Sequence, residues 1–422
     1  MTGSASPFIL GGGMGRIDSA DSPVQVLLGG GGFASLETIL ALRELLGGRA
    51  SITLVSPDPH LAYRPAATLE AFVEPEHSSP DRSRNPCSYD LRAICEDLGV
   101  TYRHDRLEAV APKQHRVRLA SFARLPYDVL VLALGARATV AVPGALTFRD
   151  QRDVPQFQRL LAAVRAGEVD QLVFAVPSGC TWALPLYELA LMTAAFAKRH
   201  HVHLDVSLVS PEAAPLELFG GQASELLAGV LADRGVRFRG SSVPASVRAD
   251  GALLLHFNGA IKADRVVCAP QLHGPRITGL PSDWWGFLAT DSSGRVEGLS
   301  DVYAAGDMTA FPIKQGGLAA QQADLIAHDI ASRHGITVGA APKAHERVLR
   351  ARLIGGAEQL LLRVALDENA HPLRASLQVE TLSSPAAPGS FDADEQRADA
   401  EKVFGRHLTS YLRERQPLAA AS

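Results

Sequence analysis

The sequence predicts an α/β fold made of two related strand–helix–strand units and a small α+β cap at the C-terminal end. Three observations predict it. The apolar run VQVLL from Val24, the turn GGGGFAS, the helically spaced LETILALRELL and the apolar run ASITLVS form one βαβ unit. The same order returns at QLVFAV (171–176), a turn, a helix over 185–199 and the strand HLDVSLVS (203–210). Each block closes with a further apolar run, YDVLVLALGA (127–136) in the first and RVVCAP (265–270) in the second, so the chain reads as two related α/β units.

Length and composition agree. At roughly 150 residues per domain, 422 residues give about three domains. A 46% hydrophobic and 20% charged composition supplies large cores and excludes a disordered chain. Lys and Arg number 41 against 45 for Asp and Glu, a formal charge of −4 with no long run of one sign, which excludes nucleic acid as the default partner. Four cysteines and no charged-then-apolar leader imply a reducing compartment, so a cytoplasmic location is expected.

The remaining elements follow in chain order. Residues 1–23 read as a flexible lead-in, because the GGGMG of Gly11–Gly15 is followed by no apolar helical face that would hold a phosphate at its N-terminus. Between Gln171 and Ala197 only Glu188 is charged, as in a membrane span, but Pro177, Ser178, Gly179 and Pro185 break the run into a buried strand, a turn and a buried helix. VYAAGDMTAFPIKQGGLAAQQADLIAHDIA, within 296–335, supplies a strand, a Gly-Asp turn and a long helix. Beyond 336 come strand-like RLIGGAEQLLLRVAL and RASLQVETL, a Pro-, Ser- and acid-rich linker at 383–400 and a last helix. That helix carries Val403, Phe404, Leu408, Tyr411 and Leu412 at helical spacing. It covers the protein's own core or touches a membrane surface, and its short apolar length favours the first.

The strongest local chemical signal is LLGGGGFASLE, which follows a strand and opens a helix. Gly30, Gly31 and Gly32, with Phe33 and Ala34, would bring backbone N–H groups and the helix N-terminus against a diphosphate. Ser35 stands at the third glycine position, and the strand that should end in a ribose-binding acid ends in Ser56. An ordinary glycine turn in an α/β fold is the lesser alternative for this motif alone. Three further segments narrow the choice: LSDVYAAGDMTAF with Asp307, the strand YDVLVLALGA ending at Gly135, and AYRPA with Arg64 and Pro65.

Together these motifs, over residues 24–335, resemble the FAD-containing pyridine nucleotide-disulfide oxidoreductase superfamily, in its branch of type II NADH dehydrogenases and sulfide:quinone reductases. The resemblance implies two Rossmann-like dinucleotide-binding domains. The FAD domain is discontinuous (24–150 and 270–335), an NAD(P)-type domain is inserted (151–269), and 336–422 form the α+β cap. FAD would be held by Gly30, Gly31, Gly32, Phe33, Ala34, Ser56, Arg64, Pro65, Gly135, Gly306, Asp307, Lys314 and Gly316. PIKQGGLAAQQA resembles the helix beside the flavin and quinone, which makes Lys314 a source of positive charge for the reduced flavin and Gln321 and Gln322 quinone-side candidates. Glu188 matches an acid of both branches and is a candidate proton carrier, with a structural ion pair or helix cap as the alternative. A homodimer and a peripheral membrane contact are further expectations of the branch.

The departures decide what can be expected. No CxxC or CxxxxC pair exists for a dithiol relay; Cys87 and Cys95 are eight apart and read as idle thiols. Where sulfide:quinone reductases carry a cysteine three residues before a proline, this chain has Trp182 before Pro185, with Cys180 two positions away. Aligned on Glu188, TWALPLYE puts Thr181, Ala183 and Leu186 where an NADH-binding turn has glycines, and the next strand ends in Ser210 with Glu212 after a proline. The His-rich KRHHVH (198–203) leads into a strand without acid or Cys partners, so no metal is expected. The expectation is an FAD-dependent, NADH dehydrogenase II-like oxidoreductase that passes two electrons from NAD(P)H through flavin to a quinone or other small acceptor. Two alternatives stay open: a flavoenzyme with another donor, such as sulfide, and a non-catalytic FAD-binding partner subunit.

Overall fold

The computed structural model describes residues 22–62, 64–73, 88–257, 259–336, 339, 347–354, 359–380 and 406–413. The GGGMG segment, Cys87, the 383–400 linker, Val403 and Phe404 lie outside the described residues. The first unit opens with β1 (Val24–Gly29), α1 (Phe33–Leu46) and β2 (Ala50–Ser56). β1 and β2 are parallel, from Val24 opposite Ala50 to Gly29 opposite Val55. β3 (Thr101–His104) pairs outside β2, and β4 (Val129–Leu132) pairs with β1 on its other side.

The chain then crosses to a second sheet through β5 (Leu146–Thr147) and α2 (Val154–Arg165). It continues with β6 (Gln171–Ala175), α3 (Leu184–Arg199), β7 (Asp205–Val209), α4 (Gly221–Asp233), β8 (Val236–Arg239) and β9 (Arg265–Cys268). The apolar stretch 171–197 is therefore broken into a strand and a helix, and no helix among the described residues is long and apolar enough to cross a membrane. β10 (Val302–Ala304) returns to the first sheet, and α5 (Gly316–Arg333) packs on α1. β11 (Arg347–Leu353), β12 (Gln359–Leu366) and β13 (Pro372–Glu380) make an antiparallel sheet, and α6 (Arg406–Arg413) follows.

The two large sheets are all-parallel, in the orders β10-β4-β1-β2-β3 and β5-β9-β6-β7-β8. Their central strands are covered on both faces, which is why they read as continuous apolar runs rather than alternating ones. Leu28, Leu36, Ile39, Leu42 and Leu54 are fully buried between β1, β2 and α1. In such a sheet ligands collect at the carboxyl ends of the strands. The carboxyl ends of β1, β2, β4 and β10, the turn after β6 and the start of α5 all open on one cavity.

Candidate functional site

The cavity has a volume of about 1800 Å³ and is lined from all three parts of the chain. Its floor is the turn between β1 and α1. Gly30 has φ +102° and donates its N–H to Val55 O at 2.8 Å; a Cβ there would stand 2.3 Å from Ala133 O. A Cβ on Gly31 would meet Leu91 Cδ1 at 2.4 Å and Ser56 Oγ at 2.7 Å, whereas at Gly32 nothing lies within 4 Å. Gly32 is the N-cap of α1 with no side-chain cap, so the helix N-terminus faces the cavity beside Phe33 and Ala34. Ser56 is buried at the end of β2, where its hydroxyl donates to Asp58 O (2.9 Å) and accepts from Asp58 N–H (3.2 Å).

Opposite this turn, Gly306–Met308 form a single 3₁₀ turn at the end of β10. Asp307 lines the cavity, and its carboxylate takes no hydrogen bond among the described residues. Burial raises its pKa from the ordinary value, against the nearby positive charges of Arg64 and Lys314. Lys314 donates to Thr309 O and Phe311 O and places its ammonium 3.9 Å from the centre of the Phe287 ring. Burial depresses its pKa to about 8, with Asp307 and Asp283 pulling the other way. Pro65, Gly135 and Gly316 also line the cavity, as does Gln315, which caps α5 by accepting from Leu318 N–H at 3.0 Å.

The turn after β6 forms a third wall. Ala183, Leu184 and Leu186 are buried where an NADH-binding turn would leave room for phosphate, and Trp182 packs edge-on against Phe219. Thr181 Oγ1 donates to Pro312 O at 2.7 Å, tying this turn to the segment that carries Lys314. Ser210 and Glu212, the positions for a second ribose, do not line the cavity; Glu212 accepts from Ser210 Oγ (3.2 Å) and Tyr187 OH (3.4 Å). Cys180 does line it, but burial pushes its thiol up to about 11, so little thiolate exists at neutral pH. Cys95 is raised by burial to about 11 and Cys268 to about 12, consistent with idle thiols.

Glu188 is 6% exposed at the junction of α3, the segment after β2 and the end of β11. Oε1 accepts from Ile354 N–H at 3.2 Å and Oε2 from Thr68 Oγ1 at 3.5 Å. Burial raises its pKa to about 8, with the hydrogen bonds and Arg352 lowering it. Thr68 and Ile354 were not visible as partners in the sequence, since neither belongs to a motif and both act from other parts of the chain.

Gln321 and Gln322 require a correction. Neither lines the cavity. Gln321 is paired with β11, donating to Val348 O (2.9 Å) and accepting from Val348 N–H (2.9 Å). Gln322 is 5% exposed and accepts from Gly306 N–H at 2.6 Å. Both amides are turned to backbone that forms the walls of the site rather than into the cavity.

Comparison with known proteins agrees with this geometry. The Pyridine nucleotide-disulphide oxidoreductase family matches residues 24–325. The sulfide-quinone reductase of Aquifex aeolicus (strain VF5) is 22% identical over 271 residues, 61% of each chain, so the match spans about three fifths of that relative. The ferredoxin–NAD(+) reductase component of the anthranilate 1,2-dioxygenase system of Burkholderia cepacia is 29% identical over 310 residues, 69% of this chain and 68% of that one. Among solved structures, the sulfide:quinone oxidoreductase from Aquifex aeolicus has a TM-score of 0.71 at 18% identity, covering 85% of this chain and 87% of that one. The ferredoxin reductase for the CYP199A2 system from Rhodopseudomonas palustris has a TM-score of 0.59 at 18% identity, covering 81% and 82%. These two likenesses show the shared fold. The chain belongs to the pyridine nucleotide-disulphide oxidoreductase family.

Proposed function

We propose that this FAD-dependent oxidoreductase takes its electrons from a small donor that enters the cavity directly, rather than from a nicotinamide dinucleotide carried on the second unit, and passes them to a quinone or another small acceptor. The observation that carries the reading is the turn after β6. Its backbone is screened by Ala183, Leu184 and Leu186 and fastened to Pro312 O, and the second ribose position is taken up by contacts among Ser210, Glu212 and Tyr187. A dinucleotide needs open backbone at the first place, for its diphosphate, and an available acid at the second, for its ribose. Sulfide is the small donor named by one relative, but the raised thiol of Cys180 does not favour a route through that cysteine.

The first unit fits FAD. Gly30 and Gly31 stand where a Cβ would collide, Gly32 is open to the cavity, and the Asp307 carboxylate is left for a ligand hydroxyl. FAD, when bound, supplies a ring that accepts and releases two electrons. The α1 N-terminus would hold its diphosphate, Asp307 its sugar-alcohol chain, and Lys314 would place positive charge beside the ring. Glu188 keeps a proton on its carboxyl group at neutral pH and can give it to an acceptor that becomes anionic on reduction.

Anaerobic titration of the flavin-loaded protein with NADH and then NADPH tests the reading. The expected result is a visible flavin absorbance that neither nucleotide bleaches while dithionite does. Bleaching by either within mixing time would overturn it. That outcome would establish the second reading, NAD(P)H as donor, which the ferredoxin–NAD(+) reductase relatives favour.

A further inference from the structure

Away from the cavity, three helices bring metal-binding donors together. We propose that Glu37 on α1, Asp324 on α5 and His407 on α6 form a site for one divalent transition-metal ion of the zinc type, which fastens α6 to the two helices that frame the flavin unit. One donor atom from each residue lies within 4.8 Å of the other two. Glu37 is fully buried, and the side chains of His407 and Asp324 are only 10% and 16% exposed. One imidazole nitrogen and two carboxylates are a donor set that Zn²⁺ accepts in three-residue sites, with water completing the tetrahedron.

A separate feature points the ring at a cation. Glu44 lies two turns beyond Glu37 on the same face of α1, and its Oε2 stands 3.0 Å from His407 Nδ1. A carboxylate on Nδ1 holds a proton there, and Nε2 faces Asp324, whose Oδ1 is 3.5 Å away. This is the outer carboxylate that metal-bound histidines require to fix their tautomer. A divalent cation between Nε2 and Asp324 Oδ1 would take the place of an Nε2 proton and convert the pair into ligands. Glu37 accepts His407 N–H at 2.9 Å on one oxygen and Leu408 N–H at 2.7 Å on the other, which fixes both oxygens at the start of α6 beside the ring. Donors around tetrahedral zinc stand about 3.4 Å apart for bonds of about 2.1 Å.

The test uses the full flavin-loaded chain, stripped with chelator and titrated with ZnCl₂ by calorimetry, beside His407→Ala and Asp324→Asn. The wild type is expected to bind one more Zn²⁺ than either variant, and to gain melting temperature on adding Zn²⁺ where they do not. Because His407→Ala removes packing as well as a ligand, Asp324→Asn, which keeps side-chain volume, is the decisive variant. Co²⁺ in place of Zn²⁺ is expected to give the visible bands of a four-coordinate ion at wavelengths beyond the flavin, lost in Asp324→Asn. Equal Zn²⁺ stoichiometry in all three proteins, or none in the wild type, would overturn the site and leave His407 as an imidazolium between Glu44 and Asp324.

Discussion

Glu188 is a carboxyl group held 6% exposed between Thr68 Oγ1 and the N–H of Ile354. Burial dominates both hydrogen bonds and lifts its pKa from 4.5 to about 8. The folded state thus binds a proton that the unfolded chain releases near pH 4.5. The stability this contributes is fully present below pH about 4.5 and is lost as pH rises through about 8. Glu188→Gln, which is neutral at every pH, removes that dependence. Thermal melts of the flavin-loaded wild type from pH about 5 to pH about 9 are expected to fall more steeply than those of the variant. Parallel curves would show that Glu188 is not the titrating group, and with it the proton-carrier role would fail. If the role holds, Glu188→Gln slows reoxidation by quinone without changing the flavin content.

At the scale of elements, the β1–turn–α1 unit separates two uses of glycine. Gly30 has φ +102° and no room for a Cβ beside Ala133 O, so Gly30→Ala forces the turn open and is expected to lower stability by about 1–3 kcal/mol. Gly32 has open space on the cavity side, so Gly32→Ala is expected to keep the melting temperature of the flavin-free chain while reducing its flavin content. Melting temperature and the flavin-to-protein absorbance ratio, measured on both variants, distinguish the two; a Gly32→Ala protein that retains full flavin would remove this turn from the binding site. The unit was legible because strands buried on both faces leave unbroken apolar runs and the glycines sit between strand and helix. The closed second turn was legible too, as Thr181, Ala183 and Leu186 in place of glycine. Gln321 and Gln322 were not, because a polar helix face looks the same whether it meets solvent or, as here, the backbone of Val348 and Gly306. Glu37 was equally silent: its partners lie 370 and 371 residues away, and no local pattern reports such a contact.

Across the whole molecule, the chain is closed by contacts between distant segments. Thr181 ties the second unit to Pro312, Ile354 N–H reaches Glu188 from the cap, and α6 lies back on α1. The last of these is the easiest to remove. Leu408 and Leu412 are 1% and 4% exposed within the core of the first unit, and each contributes about 1.5–3 kcal/mol by burial. Taking α6 away also leaves the buried Glu37 carboxylate without the His407 and Leu408 N–H donors, a loss of about 1–3 kcal/mol. A chain ending at Gly405 is therefore expected to melt at least about 8 °C below the full chain, at about 2–4 °C per kcal/mol as for a domain of about 150–250 residues. Because the α1 N-terminus is the proposed holder of the FAD diphosphate, the shortened protein is also expected to release flavin faster on dialysis. Glu37→Gln in the shortened chain separates the two causes. A neutral amide is less costly to leave without donors than a carboxylate, so it recovers part of the melting temperature if the exposed charge matters, and none if lost packing of Leu408 and Leu412 is the whole effect. A shortened chain that melts with the full one would show that α6 rests on α1 without holding it.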